Sequence, residues 1–398
     1  MLDVTTALAG LRHTSPQEVV AALTDAAAPL ARDVVLYVVD FEQEILQPLV
    51  DGTGIEVPLE EPLGATLAGR AFSGGEPVVA RRADGLRVWV PVFEHSVRTG
   101  VLSITVDDGT PEVLAHCRSL GMLAGLLLAS ASRYTDLVHV RKRGRGMSLA
   151  ASMQWDLLPP LTMRADRVTV AGLLEPAYEV AGDGFDHSIN GNRVDVAVFD
   201  GMGHGIGSTL LTTLAVGAYR HQRRDGRDLT AMHETIDAAI ALQFGSDSFV
   251  TGVLARLDTS TGRLELTNAG HPAPLLLRDR QVVGELRTEI ATPFGIGSRC
   301  EQVGEVALQP GDMVVLYTDG VVEARGADGQ EFGVARLSDL LEREAASGRP
   351  ADEVLRRLVR AVLDHQDGTL RDDATFVLVQ WEGPPPEVIP AQPRLAQA

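Results

Sequence analysis

Strand-like segments that end in an aspartate and a glycine recur in the second half of this chain, and they constrain its fold more than any other feature. VAVFDG ends at Asp200 and Gly201, and MVVLYTDG ends at Asp319 and Gly320. Runs rich in β-branched and aromatic residues between turn formers are typical of β-strands. Short turn sequences such as DTSTG join several of them, which favours antiparallel hairpins. Residues 161–382 are therefore expected to be rich in β-structure.

Four helical patterns are interleaved with these strands in pairs. They cover residues 208–225, 229–243, 336–346 and 351–366. Antiparallel strands with pairs of helices between them predict a domain of the α+β class, built as a sandwich.

The first third of the chain has a different order of elements. A helix is predicted over 15–30, where Ser15 is a candidate cap, and strands over 33–40, 88–93 and 99–108. An apolar helix follows and ends near residue 132. This order resembles a GAF-like α+β sensor domain over residues 1–136, and the resemblance implies an unknown small ligand.

A change of composition separates the two parts. Residues 137–160 are predicted to form a connector helix, with apolar residues at helical spacing from Met147 until Pro159-Pro160 stops it. Its apolar residues could form a seam with a second copy, so a homodimer is a candidate assembly. The proline-rich segment 383–398 is predicted to be a disordered tail.

Composition excludes several classes of function. The 398 residues suffice for two domains, and the net charge of −19 disfavours nucleic acid as a partner. Two cysteines give no disulfide framework, and the N-terminus does not resemble a secretory signal, so a cytoplasmic location is expected. The longest apolar run, residues 120–132, is shorter than the ~20 residues of a membrane span, so no membrane association is predicted.

Acidic residues at four predicted strand ends point to a metal site. Asp183, Asp200 and Asp319 each stand beside a glycine, and Asp372 and Asp373 come directly before a strand. One such aspartate is an ordinary turn former, but four sites in one domain suggest the oxygen ligands that Mg²⁺ and Mn²⁺ prefer. Clustered carboxylates would otherwise repel each other.

Other chemistries fit the sequence less well. The loop DGMGHGIG after Asp200 has neither the dinucleotide fingerprint nor the Lys-Ser/Thr pair of a P-loop, so no nucleotide cofactor is predicted. No G-x-S-x-G elbow is present. His204 is a candidate acid or positioning residue, with packing at the helix entry as the alternative, and His271 is expected to order a turn.

Five ordered motifs carry a family resemblance: EVAGDGFD, VFDGMGHG, NAGHPAPLLL, LQPGDMVVLYTDGVVEAR and RDDATFVLV. Together they resemble the metal-dependent serine/threonine protein phosphatases of the PPM type, in the bacterial branch of sporulation and stress-sigma-factor regulators. The resemblance implies an α-β-β-α sandwich over 161–382. The sequence departs from the broader family at Met202, where a histidine is usual, and it has no convincing match for the arginine that holds phosphate.

The same resemblance implies the site and the reaction. Asp183, Asp200, the Gly201 carbonyl, Asp319 and Asp372 would hold two Mn²⁺ or Mg²⁺ ions, with Asp373 as the alternative to Asp372. Asp200 and Asp319 are the expected catalytic residues. Two ions about 3.5–4 Å apart would activate a water that attacks phosphorus directly.

Three hypotheses for function follow. In the first, the chain removes phosphate from serine or threonine of a regulatory protein, such as an anti-sigma-factor antagonist, under control of the N-terminal domain. In the second, it is an inactive sensor or scaffold of the same fold. In the third, it hydrolyses small phosphate esters. Retention of all four acidic sites favours an active enzyme.

Overall fold

The structure is a computed structural model that describes residues 18–49, 59–83, 85–144, 146–175, 182–245, 247–368, 370 and 372–384. In this part of the chain, separate hydrophobic cores lie in an N-terminal unit and in a C-terminal sandwich.

The N-terminal unit is one antiparallel sheet with helices on both faces. The sheet has the order β3-β2-β1-β6-β5-β4. Its elements are α1 (Val19–Ala27), β1 (Ala31–Val39), β2 (Ile45–Pro48), β3 (Glu61–Pro62), α2 (Leu67–Gly74), β4 (Val78–Arg82), β5 (Gly85–Glu94), β6 (Val97–Val106) and α3 (Pro111–Ala131). The predicted order of a helix, strands and a closing helix is confirmed, although the candidate cap Ser15 lies outside the described residues. The GAF assignment itself stays a prediction.

Helix α3 packs tightly on this sheet. Gly125 makes this possible, since a Cβ there would lie 1.8 Å from the carbonyl oxygen of Phe93. Nine residues of α3 are buried. Within the described part of the chain, α3 alone is long and apolar enough to span a membrane by length and composition, a test that the core helix of a soluble protein also passes.

The C-terminal part forms a four-layered sandwich. One sheet has the order β15-β12-β11-β10-β9 with β16 beside β12, and the other has the order β14-β13-β17-β18-β8-β7. The strands are β7 (Thr162–Ala165), β8 (Val168–Glu175), β9 (Asp183–Asn190), β10 (Arg193–Gly201), β11 (Val250–Asp258), β12 (Arg263–Ala269), β13 (Leu275–Arg278), β14 (Gln281–Glu285), β15 (Ile290–Ala291), β16 (Gly304–Ala307), β17 (Met313–Tyr317) and β18 (Ala374–Trp381).

Pairs of helices cover the outer faces of the two sheets. These helices are α6 (Ile206–Arg224) and α7 (Leu229–Phe244) on the first sheet, and α9 (Gly333–Ala346) and α10 (Ala351–His365) on the second. A short helix, α8 (Asp319–Val322), follows β17. A third apolar core fills the space between the sheets. The predicted α+β sandwich and its four helices are therefore confirmed.

The connector differs from its prediction. Residues 137–160 hold two short helices, α4 (Leu137–Lys142) and α5 (Leu149–Leu157), instead of one helix. The apolar side of α5 packs on its own chain, where Ala150 and Ala151 are buried and Leu157 contacts the core under α6. Leu149 is 64% exposed. The sequence alone could not separate a seam between copies from a face that covers the chain's own sandwich.

Polar and aromatic contacts join the two units. The Arg98 guanidinium in β6 donates from Nε to Asp352 Oδ2 in α10 at 2.7 Å. Phe41 follows β1 and packs against Trp155 in α5, with ring centroids 4.6 Å apart. A cavity of about 210 Å³ lies between the units, and its lining includes Phe41, Phe72, Arg98, Lys142 and Trp155. The described part of the proline-rich end reaches residue 384, so most of the predicted tail lies outside the described residues.

Candidate metal centre

Two of the predicted ligands face each other across neighbouring strands. Asp200 lies one residue before the end of β10, and Asp183 is its partner in the antiparallel ladder. Side chains directly opposite each other on such strands lie on the same face and in contact range. Asp183 begins β9, so the sequence interpretation that placed it after a strand is corrected.

The second sheet brings the remaining carboxylates to this edge. Asp319 lies two residues after the end of β17 and begins α8, and Asp372 and Asp373 precede the neighbouring strand β18. The two segments approach so closely that a Cβ at Gly320 would lie 2.0 Å from the Asp373 carbonyl oxygen. The glycine after Asp319 is therefore needed for this backbone contact.

Two threonine hydroxyls join the sheets through Asp183. Its Oδ2 accepts hydrogen bonds from Thr318 Oγ1 at 2.7 Å and Thr375 Oγ1 at 2.6 Å. Thr318 Oγ1 also accepts from the Thr375 backbone N–H at 3.0 Å. All three residues are buried. Asp183 is thus held in one orientation by Thr318, which comes just before Asp319, and by Thr375, which comes two residues after Asp373.

Asp373 is tied to the backbone of the opposite sheet. Its Oδ2 accepts hydrogen bonds from Gly182 N at 2.8 Å, Asp183 N at 3.2 Å and Gln154 Nε2 at 3.0 Å. Its Oδ1 is buried without a hydrogen-bond partner. Asp372 is exposed, and its Oδ1 accepts from the Asp373 N–H at 2.9 Å. The two adjacent aspartates therefore have different surroundings.

The carboxylates raise one another's pKa values. Burial, followed by the charges of Asp319 and Asp372, raises the pKa of Asp200 to about 8. Burial and the charges of Asp200 and Asp373 raise the pKa of Asp183 well above its usual value. Burial also raises the pKa of Asp373 to about 6, against the hydrogen bonds that it accepts. Such a cluster is stabilised by a cation or by protons.

These residues fit a divalent cation by the chemistry of their donors. All the donors are oxygens, the charge of Asp319 contributes to the raised pKa of Asp200, and Asp373 Oδ1 lacks a partner. Within the described ranges, no group of three or more His, Cys, Asp or Glu side chains is arranged so that it could hold a metal ion, so an ion here would be bound by fewer side chains together with water. An open arrangement suits Mg²⁺ in particular, which usually binds through one or two carboxylates and keeps several waters.

The glycine-rich loop after Asp200 has two kinds of glycine. Gly203 and Gly205 have φ of 86° and 76°, a left-handed backbone that favours glycine. Gly201 instead allows a close approach, since a Cβ there would lie 2.7 Å from Thr212 Oγ1. Its carbonyl oxygen accepts a hydrogen bond from Ser208 Oγ at 2.6 Å and keeps a second lone pair.

The structure separates the two histidines that the sequence singled out. His204 is exposed, so it contributes little packing at the start of α6. Desolvation and the charge of Asp319 raise the pKa of Asp372, and His204 opposes this rise. His271 is buried, and its two ring nitrogens contact Thr251 Oγ1 at 2.8 Å and the Tyr317 carbonyl at 3.1 Å. Its ring therefore links strands next to Asp200 and Asp319, and the turn after β12 is held by the Asn268 side chain, which bonds the His271 N–H and carbonyl, both at 2.8 Å.

Sequence reasoning missed three polar residues that support the carboxylates. The sequence pattern marks Thr318 and Thr375 only as parts of strand-like runs, although each lies within two positions of a predicted ligand. Gln154 lies on α5, and its amide Nε2 donates to the Asp183 carbonyl at 2.8 Å as well as to Asp373. Its position three and four residues after the buried Ala151 and Ala150 is the one signal that it faces inward.

The raised pKa values predict how metal-free protein responds to pH. In unfolded chains an aspartate titrates near ~3.9, so a raised native pKa contributes stability that is full below that pH. This contribution is lost as the pH rises through about 6 for Asp373 and about 8 for Asp200. We expect the melting temperature in EDTA to fall between pH 5 and pH 9, and millimolar Mn²⁺ to remove most of the fall.

Asp200→Asn is the control for this prediction. The variant lacks the carboxyl with the pKa of about 8, so its melting temperature in EDTA should fall less at high pH than that of the parent. Melting curves by scanning fluorimetry measure both effects. A parent whose metal-free melting temperature does not fall over this range would contradict the electrostatic interpretation.

Comparison with known proteins identifies sequences similar to the C-terminal part of the chain, which holds the carboxylate cluster. Residues 190–382 match the family described as Stage II sporulation protein E (SpoIIE). The phosphoserine phosphatase RsbP of Bacillus subtilis is 24% identical over 242 residues, which cover 59% of this chain and 57% of RsbP. The phosphoserine phosphatase RsbU of the same organism is 22% identical over 278 residues, which cover 68% of this chain and 81% of RsbU.

A solved structure gives a similar result. The RsbU and RsbW domains of Rv1364c from Mycobacterium tuberculosis share 27% identity with this chain at a TM-score of 0.50. The match covers 55% of this chain and 63% of that one. The similarity to RsbP likewise spans little more than half of that protein's length.

Proposed function

We propose that this chain, which carries a phosphatase domain of the SpoIIE and PP2C type, is a metal-dependent phosphoprotein phosphatase. Its substrate would be phosphoserine or phosphothreonine on a regulatory protein, of the anti-sigma-factor antagonist kind. One observation carries the proposal: two sheets bring Asp200 and Asp319 together with Asp183 and Asp372 at one edge of the sandwich, where their charges act on one another.

PP2C-type phosphatases depend on Mn²⁺ or Mg²⁺. In this chain Asp200, Asp319 and Asp372, with the Gly201 carbonyl, would hold two ions, and Asp183 would complete the set. Bound ions of this kind lower the pKa of water and stabilise charge on the phosphoryl oxygens. Asp183 keeps its orientation through Thr318 and Thr375.

A further step, the protonation of the leaving oxygen, needs a proton donor beside the carboxylates, and two histidines are candidates. His204 is exposed, and its charge lowers the pKa of Asp372, so it is the candidate that would donate a proton to the leaving oxygen. His271 is not suited to this role, because burial lowers its pKa to about 4 and both ring nitrogens are engaged.

The N-terminal unit is proposed to regulate the phosphatase domain. The Phe41–Trp155 contact and the Arg98–Asp352 ion pair support this role, since both cross from one unit to the other. A small ligand of the N-terminal unit would act through these contacts. The net charge of −19 speaks against nucleic acid as a partner.

Manganese-dependent hydrolysis of para-nitrophenyl phosphate is the first test of activity. A serine-phosphorylated anti-sigma-factor antagonist should then be hydrolysed with a higher specificity constant than free phosphoserine or nucleotides. Preference for the small molecules would favour the third hypothesis, in which the chain hydrolyses small phosphate esters. No turnover with either kind of substrate in millimolar Mn²⁺ would favour the inactive scaffold.

A homodimer through α5 remains a prediction with a simple test. Leu149 is 64% exposed, so Leu149→Asp should leave the sandwich folded while disrupting any seam with a second copy. We expect the sedimentation coefficient of a dimeric parent to fall to that of a monomer. Leu157→Asp is less informative, because Leu157 contacts the core under α6 and its loss would affect the chain's own packing. A dimer that persists in Leu149→Asp would place the interface elsewhere.

A further inference from the structure

Gln154 is a polar side chain in a place where a helix usually buries apolar residues. It lies in the middle of α5, outside the sandwich in sequence, and is 1% exposed. Burying an amide costs free energy unless its groups are hydrogen-bonded. Its Nε2 meets this condition with two acceptors, the Asp183 carbonyl at 2.8 Å and Asp373 Oδ2 at 3.0 Å, whereas its Oε1 is buried without a partner.

This amide completes the set of donors around one oxygen of Asp373. Gly182 N and Asp183 N supply the other two hydrogen bonds to Oδ2. With Oδ2 fully engaged, the carboxylate has a fixed rotation, and Oδ1 stays buried without a partner. The same amide fixes the backbone of Asp183 where β9 begins, opposite Asp200.

The helix that carries Gln154 is itself held in place from several directions. Ser148 Oγ accepts from Ala151 N at 3.1 Å at its start, and the Leu157 carbonyl at its end accepts from Arg220 Nη2 in α6 at 2.7 Å. Trp155, the residue after Gln154, packs on Phe41 of the N-terminal unit. One turn of α5 therefore contacts the carboxylate cluster on one side and the N-terminal unit on the other.

We propose that Gln154 is a positioning residue for the metal centre. The connector supplies this side chain to the sandwich, where its amide holds Asp373 and the backbone of Asp183. The inference rests on the proposed function, since it concerns the ions that the phosphatase would bind. Some groups do not bind the metal but form hydrogen bonds to its ligands and orient them. Removing such a group typically lowers metal affinity or activity by about 10–100-fold.

The test uses the full chain with Gln154→Met, which keeps length and volume but has no amide. Mn²⁺ binding is measured by isothermal titration calorimetry, independently of catalysis. We expect the Mn²⁺ dissociation constant to rise by about 10–100-fold. The Mn²⁺ concentration for half-maximal hydrolysis should rise by a similar factor, with kcat largely restored at saturating Mn²⁺.

His187→Phe is the matched control. His187 Nε2 bonds the Pro160 carbonyl at 2.7 Å, so the variant removes a buried hydrogen bond between the sandwich and the connector segment without touching the carboxylates. Its dissociation constant for Mn²⁺ should stay within about twofold of that of the parent. A Gln154→Met variant that melts earlier but binds Mn²⁺ as tightly as the parent would overturn the proposal.

Two further outcomes keep the inference separable from the proposed function. If Gln154→Met does not fold, Gln154→Asn replaces it, because its amide is one methylene too short to reach both acceptors; an unchanged dissociation constant there would also overturn the proposal. A parent that binds Mn²⁺ but hydrolyses no phosphate contradicts the proposed function, while the affinity comparison still decides the role of Gln154. A parent that binds no Mn²⁺ overturns both.

Discussion

Alanine at Asp200 or Asp319 is expected to abolish Mn²⁺-dependent hydrolysis, with a loss of about a thousandfold or more, which corresponds to ~4 kcal/mol of transition-state stabilisation. After burial, the charge of Asp319 contributes most to the raised pKa of Asp200, and the proposed ion site is built on this pair of residues. Because burial and neighbouring charges raise the pKa of Asp200, its removal relieves repulsion in metal-free protein. Melting temperatures in EDTA should therefore stay the same or rise.

Asp364→Ala provides the comparison for these variants. Asp364 is an exposed carboxylate on α10, and its loss should leave both hydrolysis and Mn²⁺ binding unchanged. Initial rates with para-nitrophenyl phosphate, together with calorimetric Mn²⁺ titrations, measure the effects. Hydrolysis above one tenth of the parental rate in either Asp200→Ala or Asp319→Ala would reject the proposed ion site.

Much of the fold followed from local patterns in the sequence. The strand containing Asp200 and the strand before Asp319 were predicted from apolar, β-branched runs that end in Asp-Gly, and both lie where expected. The helices α6 and α7 begin and end within two residues of their predicted bounds. Local propensity and binary patterning agree in these elements, which is why they could be predicted.

The support of the site could not be predicted in the same way. The contact from Gln154 to Asp373 joins residues 219 positions apart, and the contact from Thr375 to Asp183 spans 192 positions. No local pattern encodes such pairings, which depend on how two sheets meet at one edge. The connector shows the same limit, since the helical spacing of its apolar residues fits a seam between copies and a cover for its own sandwich equally well.

The adjacent Asp372 and Asp373 are expected to respond differently to substitution. Asp372 is exposed and accepts one hydrogen bond, so Asp372→Asn should leave the melting temperature nearly unchanged while hydrolysis falls by about a hundredfold or more. Asp373→Asn keeps an oxygen that can accept from Gly182, Asp183 and Gln154, so it should retain more activity than Asp372→Asn.

Asp373→Ala separates structure from catalysis at this pair. It leaves three donors without their acceptor, two of them backbone N–H groups at the start of β9. Each buried donor left unsatisfied costs ~1–3 kcal/mol, so the free energy of unfolding should fall by about 3 kcal/mol or more. Asp372→Ala lacks this effect, because its side chain is exposed. Urea unfolding of both alanine variants, beside hydrolysis rates of both asparagine variants, measures the difference. The different roles inferred from the hydrogen bonds of Asp372 and Asp373 would be wrong under one outcome. In that outcome, Asp372→Asn and Asp373→Asn lose the same activity, and the two alanine variants have the same free energy of unfolding.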